Sequence, residues 1–160
     1  MTFPNTINSP VRFTAPLPAA TQVAIIGGGI IGVMIAYFLA KQGITSVILE
    51  KGRIAGEQSS RNWGWIRQQG RDPAELPIMV EAMRIWRGLE QETGEHLGFR
   101  QTGVLYLGNS EKDMTGFENW LPHAKAHQLD TRMLNRSEVN ALLPGNPGKW
   151  RGRIIHGEWN

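Results

Sequence analysis

The sequence predicts an α/β fold: a β-α-β unit near the N-terminus, then the beginning of an incomplete α+β segment. Three observations predict it. A short β-branched run ends in a glycine turn. An apolar helical stretch opens from that turn, and a second β-branched run closes on an acidic residue. A chain of 160 residues can bury a core, but it is short for separate cofactor and substrate domains.

Gln22 to Ile26 has the composition of a buried parallel strand. Ile30 to Gln42 continues as a helix and stops at Gly43, a natural residue for a helix C-terminus. Thr45 to Leu49 is the second strand, ending at Glu50. A right-handed crossover and parallel strands follow from this order. Lys51 to Gly70 is a long loop rich in Gly, Ser, Arg and Gln, a length that usually serves function.

Asp72, Pro73 and Glu75 have the N-cap, N1 and N3 pattern of a helix start. Pro77 would then remove a hydrogen bond in the second turn, so the start is expected to slide by a few residues. This helix runs to about Thr93, with Met79, Met83, Trp86 and Glu90 at helical spacing. Phe99 to Leu107 reads as a strand broken or bulged at Gly103. Glu111 to Gln128 reads as a helix, Thr131 to Leu134 as a short strand and Arg136 to Leu143 as a short helix ended by Pro144 and Gly145. Trp150 to His156 completes the prediction as a strand with Arg151 and Arg153 facing solvent.

Composition excludes several classes. The chain has no cysteine, so disulfides, Cys-ligated zinc, iron–sulfur clusters and a thiol nucleophile are excluded. A net charge of +3 is too mild to imply a nucleic-acid partner. The first twenty residues carry Pro4, Pro10, Pro16, Pro18 and one charge, Arg12, with no continuous apolar stretch. They read as a flexible arm and not as a secretory signal. Thr21 to Ala40 is uncharged and mostly apolar, but Gly27, Gly28 and Gly29 interrupt it, so no transmembrane span is expected. A cytoplasmic location, possibly peripheral to the inner membrane, is the default expectation. His123 and His127 lie four apart without the glutamate of H-E-x-x-H and read as helix-surface histidines, so no metal site is expected.

Gly27-Gly28-Gly29-Ile30-Ile31-Gly32 matches G-x-G-x-x-G, the Rossmann-like dinucleotide motif. Gly27 permits the sharp turn. Gly29 leaves room for a pyrophosphate at the backbone, and Gly32 lets the helix pack on the strand. The helix N-terminus then offers N–H groups to the phosphate charge. Glu50 follows about twenty residues later at the end of the second strand, where a carboxylate accepts from ribose hydroxyls and repels a 2′-phosphate. The motif alone leaves FAD and NAD open.

Ile48 to Gly64 adds a more specific pattern: Glu50-Lys51, a glycine at 56, then Ser59-Ser60-Arg61-Asn62. Here the chain resembles the FAD-dependent D-amino acid oxidase/glycine oxidase superfamily, and the resemblance extends more loosely to its end. It implies that Gly27, Gly29, Ile30, Ile31 and Gly32 hold the FAD pyrophosphate and Glu50 the adenosine ribose. Lys51 would lie beside the ribose or adenine. Ser59, Ser60, Arg61 and Asn62 would follow the pyrophosphate and ribityl chain. Gly64 and Trp65, with Arg67 and Gln68, would approach the isoalloxazine ring. Trp63 and Trp65 alternate along an extended segment, so one of them is expected to join the core.

The resemblance also implies the reaction: oxidation of a carbon–nitrogen bond in an amino acid or other amine, by hydride transfer to flavin. It implies three regions: an arm over 1–20, an ADP-binding segment over 21–70 and a partial cap or substrate domain over 71–160. Members of that family are much longer and carry their substrate-binding residues later. The chain is therefore expected to be an N-terminal part, inactive alone, with a C-terminal portion or a partner chain supplying the rest. No residue in it is assigned as a catalytic base or a substrate clamp. Two alternatives stand beside this reading, an NAD-binding dehydrogenase module and a non-catalytic remnant.

Overall fold

The computed structural model describes residues 5–6 and 8–145, and the backbone of residues 152–156. It divides into two compact units, Met1–Trp65 and Ile66–Asn160.

The first unit is the expected β-α-β. Strand β1 (Val23–Ile26) pairs in parallel with β2 (Ser46–Leu49), Val23 opposite Ser46 and Ile26 opposite Leu49. Helix α1 (Ile30–Lys41) connects them. Gly43 follows the helix at φ +73, a conformation that glycine adopts without a Cβ clash. Ile25 is buried and lies close to Gly32 of α1. The pleat turns Ile26 to the other face of the sheet, where it is 91% exposed. The loop after β2 contains one 3₁₀ turn, Gln58–Ser60.

The second unit begins with a 3₁₀ turn, Pro73–Glu75, capped by Asp72, whose carboxylate accepts from the Ala74 N–H at 2.9 Å. Helix α2 runs over Leu76–Thr93. Its start has slid so that Pro77 falls in the first turn, where its missing N–H has no intrahelical partner to lose. Met83 is buried and Met79 and Trp86 are half-buried, so these residues are a packing stripe. The helix ends at Gly94, φ +70.

Strand β3 is shorter than expected, Val104–Gly108. Gly103 at φ +75 turns the chain, so Phe99 to Thr102 stay outside the sheet. Phe99 stacks instead on Trp86, with centroids 5.8 Å apart. Helix α3 (Glu111–Ala126) opens with a capping box, Ser110 to the Asp113 N–H and Asp113 back to the Ser110 N–H. Strand β4 (Thr131–Leu134) leads into helix α4 (Arg136–Leu142), which has a second capping box from Asn135 and Glu138. Strand β5 (Gly152–His156) lies between β3 and β4, antiparallel to both. Trp150, Arg151 and the Arg153 side chain lie outside the described residues.

Leu134 and Val139 form the centre of a core, with Leu105, Leu142 and Leu143 packed against it. Gly88 in α2 and Gly116 in α3 have open space where a Cβ would stand. Among the described residues no helix is long and apolar enough to cross a membrane. None of their His, Asp and Glu side chains form a group that could hold a metal ion.

Candidate functional site

The glycine turn lies where β1 meets α1, and each glycine has a separate physical reason. Gly27 stands at φ +104. A Cβ on Gly32 would overlap the Gly27 carbonyl oxygen, so the helix approaches the turn at a distance only glycine permits. A Cβ on Gly29 would stand 3.1 Å from the Ser59 hydroxyl oxygen. Helix α1 has no acidic residue in its first turn and no capping side chain from Gly29. Ser59 supplies the missing acceptor from a distance in sequence: its Oγ accepts from the Ile30 N–H at 2.8 Å. Ile31 follows in the first turn with its side chain 73% exposed.

Glu50, at the end of β2, reaches back to the turn. One carboxylate oxygen accepts from the Gly28 N–H and the other from the Gly52 N–H, both at 2.7 Å. These two backbone donors, with the nearby Lys51 charge a smaller cause, hold the carboxyl below its ordinary range. Glu50 is therefore an anion locked in place. An ionised carboxylate offers about four lone-pair sites. Backbone amides take one site on each oxygen, which leaves acceptor capacity for a hydroxyl donor. Lys51 beside it is exposed.

The loop after β2 folds onto the same turn. The Ala55 N–H donates to the Gly28 carbonyl at 2.8 Å, and Ala55 itself is held at φ +56. Ser60 is buried. Arg61 is exposed and pairs with Glu57 at 3.2 Å. Asn62 shapes the next turn, donating to the Ser59 carbonyl at 2.8 Å and accepting from the Gly64 N–H at 2.6 Å. Gly64 adopts φ +65. Trp63 and Trp65 are both exposed, 91% and 47%, so neither joins the core as expected of one of them.

Thus the structure brings Gly27, Gly29, Ile30, Gly32, Glu50 and Ser59 together around one turn. Ser60, Arg61, Asn62, Gly64 and Trp65 follow along the loop leading away from it. Arg67 and Gln68 belong to the second unit. There Arg67 donates to the Tyr106 hydroxyl at 2.7 Å and to the Gln69 carbonyl at 2.9 Å, and Gln68 and Gln69 are buried. Sequence spacing missed the Arg67–Tyr106 pair, because the two partners are distant along the chain.

Comparison with known proteins agrees with this geometry. The family described as FAD dependent oxidoreductase (DAO) matches residues 22–159. Sarcosine oxidase subunit beta of Rhizobium meliloti is 36% identical over 77% of this chain, which spans 30% of that protein. Human mitochondrial sarcosine dehydrogenase is 30% identical over 81% of this chain, which spans 14% of it. The structure of L-amino acid deaminase from Proteus myxofaciens superposes with a TM-score of 0.84 at 30% identity, covering 96% of this chain and 34% of that one. With a family match over most of its length and the turn, helix and carboxylate in place, this chain belongs to the DAO family of FAD-dependent oxidoreductases.

Proposed function

We propose that this chain holds the ADP half of FAD in an enzyme that oxidises the carbon–nitrogen bond of an amino acid or other amine. The observation that carries the reading is the Glu50 carboxylate, fixed between the Gly28 and Gly52 amides with acceptor capacity to spare. Ribose hydroxyls are the donors it fits. The residues suit the rest of FAD in chemistry as well. Gly27, Gly29 and Gly32, with the Ile30 and Ile31 amides, would receive the pyrophosphate. A charge-assisted hydrogen bond is roughly twice as strong as a neutral one, so a phosphate oxygen would displace the Ser59 hydroxyl from the Ile30 N–H.

Arg61 is available on the same energetic grounds. Its exposed pairing with Glu57 contributes about 0–1 kcal/mol, which a phosphate contact exceeds. Ser59, Ser60 and Asn62 would line the pyrophosphate and ribityl chain. Lys51 would flank the ribose or adenine, and Gly64 and Trp65 would approach the ring. When bound, the flavin supplies the hydride acceptor, and the protein's part is to hold and orient it.

The chain spans about a third or less of the relatives described above. Accordingly, substrate binding and turnover are assigned to polypeptide beyond these 160 residues, whether in the same chain or in a partner. That one relative is named as a subunit favours the possibility of a partner chain. The expected behaviour is weak FAD binding and no amine oxidation by the 160-residue chain. The test is to add FAD, desalt and record the flavin spectrum, for the wild type and for Glu50→Ala. Retention that Glu50→Ala lowers tenfold or more supports the reading. Equal retention by both removes Glu50 from the site, and amine-dependent flavin bleaching by the pure chain contradicts its inactivity.

A further inference from the structure

Residues 8–20 precede β1, and among them Val11, Phe13 and Leu17 are exposed, so this part of the arm buries little apolar surface. It is nonetheless tied down at one end. The Ser9 N–H donates to the Thr6 carbonyl at 3.0 Å, and the Thr6 N–H donates to the Ser9 hydroxyl at 2.9 Å. The Ser9 carbonyl accepts in turn from a side chain of the loop after β2. The Arg53 guanidinium donates to it through Nε, and donates through Nη1 to the Gly52 carbonyl at 3.2 Å.

Arg53 sits in the middle of the segment that shapes the site. Gly52, one residue before it, gives its N–H to Glu50. Ile54, one residue after it, covers the position a Gly28 Cβ would take. Ala55 bonds the Gly28 carbonyl from a left-handed backbone that an L-residue holds only under constraint. A seven-residue loop held at both ends still has freedom at its centre. A cation clamped between two backbone carbonyls removes that freedom.

We propose that Arg53 is a positioning residue: it straps the N-terminal arm, at Ser9, onto the loop over residues 50–56, and so keeps the Glu50 carboxylate and the Gly28 and Ala55 amides in the arrangement that receives ADP. The proposal rests on the reading of this turn as the ADP site. The arm thereby acts on the nucleotide site through Arg53, without itself being part of it.

The test uses the full chain, with Arg53→Ala, Arg53→Lys and a form lacking residues 1–9. Amide hydrogen exchange is measured first without nucleotide. Arg53→Ala and the shortened chain should each raise exchange at Gly28, Gly52 and Ala55 about tenfold, a change of the size expected on losing one hydrogen bond to a charged group. The β1–β2 ladder and α1 should keep their protection, and Arg53→Lys, which retains a cationic donor, should restore most of the effect. ADP is then titrated, and both disruptive changes should weaken its binding about tenfold with the lysine variant again recovering. Exchange unchanged at the three amides overturns the strap, and altered exchange with unaltered ADP affinity overturns its positioning role at the nucleotide site. Should the wild type bind no ADP, the nucleotide reading fails while exchange still decides whether the strap exists. If Arg53→Ala unfolds the ladder, the shortened chain, which keeps Arg53, decides the outcome.

Discussion

The first unit buries one large apolar side chain within its strands, Ile25, whereas the second buries Leu76, Met83, Leu89, Leu134 and Val139. The two halves therefore hold their shapes by different means. In residues 1–65 the decisive contacts are backbone amides on Glu50, Ser59 and Gly28, and close approaches that only glycine allows. In residues 66–160 they are side-chain packing around Leu134 and Val139 and two complete capping boxes. A unit built on donated amides presents polar groups in fixed positions, which suits it to a charged ligand. A unit built on packing suits a scaffold. Fixed polar groups and a packed core thus come from different stretches of one short chain.

The comparison breaks most visibly at Leu134. Leu134→Ala should cost about 2–5 kcal/mol, read as a lowered urea midpoint for the second unit by exchange at β4 and α4. Exchange at Gly28 and Gly52 should stay as it is. A matching loss there would show that the units do not differ in the way described. The first unit has its own counterpart in Gly32→Ala, where the new methyl meets backbone that cannot rotate away. Overpacking of this kind costs roughly 1–3 kcal/mol, and ADP affinity should fall with stability.

Asn135→Ala removes the acceptor for the Ser137 and Glu138 amides. It should cost about 1 kcal/mol, confined to α4, and denaturant unfolding followed there will check it. The smallest effect is the acid response of Glu50. Its carboxyl titrates below its ordinary value because the folded state donates two amides to the anion. Its stabilising contribution is fully present above the unfolded value of 4.5 and is lost as pH falls through the lower folded value. Glu50→Gln should flatten this part of the stability profile between neutral and acid pH. An identical profile for variant and wild type would remove Glu50 from the pH response.

Much of the first unit was legible because glycine requirements are local. The turn at Gly27, the close approach at Gly32 and the carboxylate at the end of β2 all follow from spacing over about twenty residues. The contacts that complete the site are not local. Ser59 caps the Ile30 amide and Arg53 binds the Ser9 carbonyl, and no periodicity encodes either pair. In the second unit the caps at Ser110 and Asn135 lie within reach of a pattern, whereas the order β3-β5-β4 is settled by pairing between distant strands. The late start of β3 came from Gly103, whose left-handed turn ends the extension from Phe99. Trp63 and Trp65 were misjudged because alternation says which way side chains point, not whether an apolar layer lies beneath them.

Gly88 and Gly116 carry a consequence for how this sequence tolerates change. Both stand within helices, neither has a positive φ, and a Cβ at either would meet nothing. In a saturation library selected for folded chains, alanine should be enriched at both positions, since it gains about 1 kcal/mol over glycine in a helix interior. These two codons mark where the protein has stability in reserve, and where an engineer could raise it without touching the nucleotide turn.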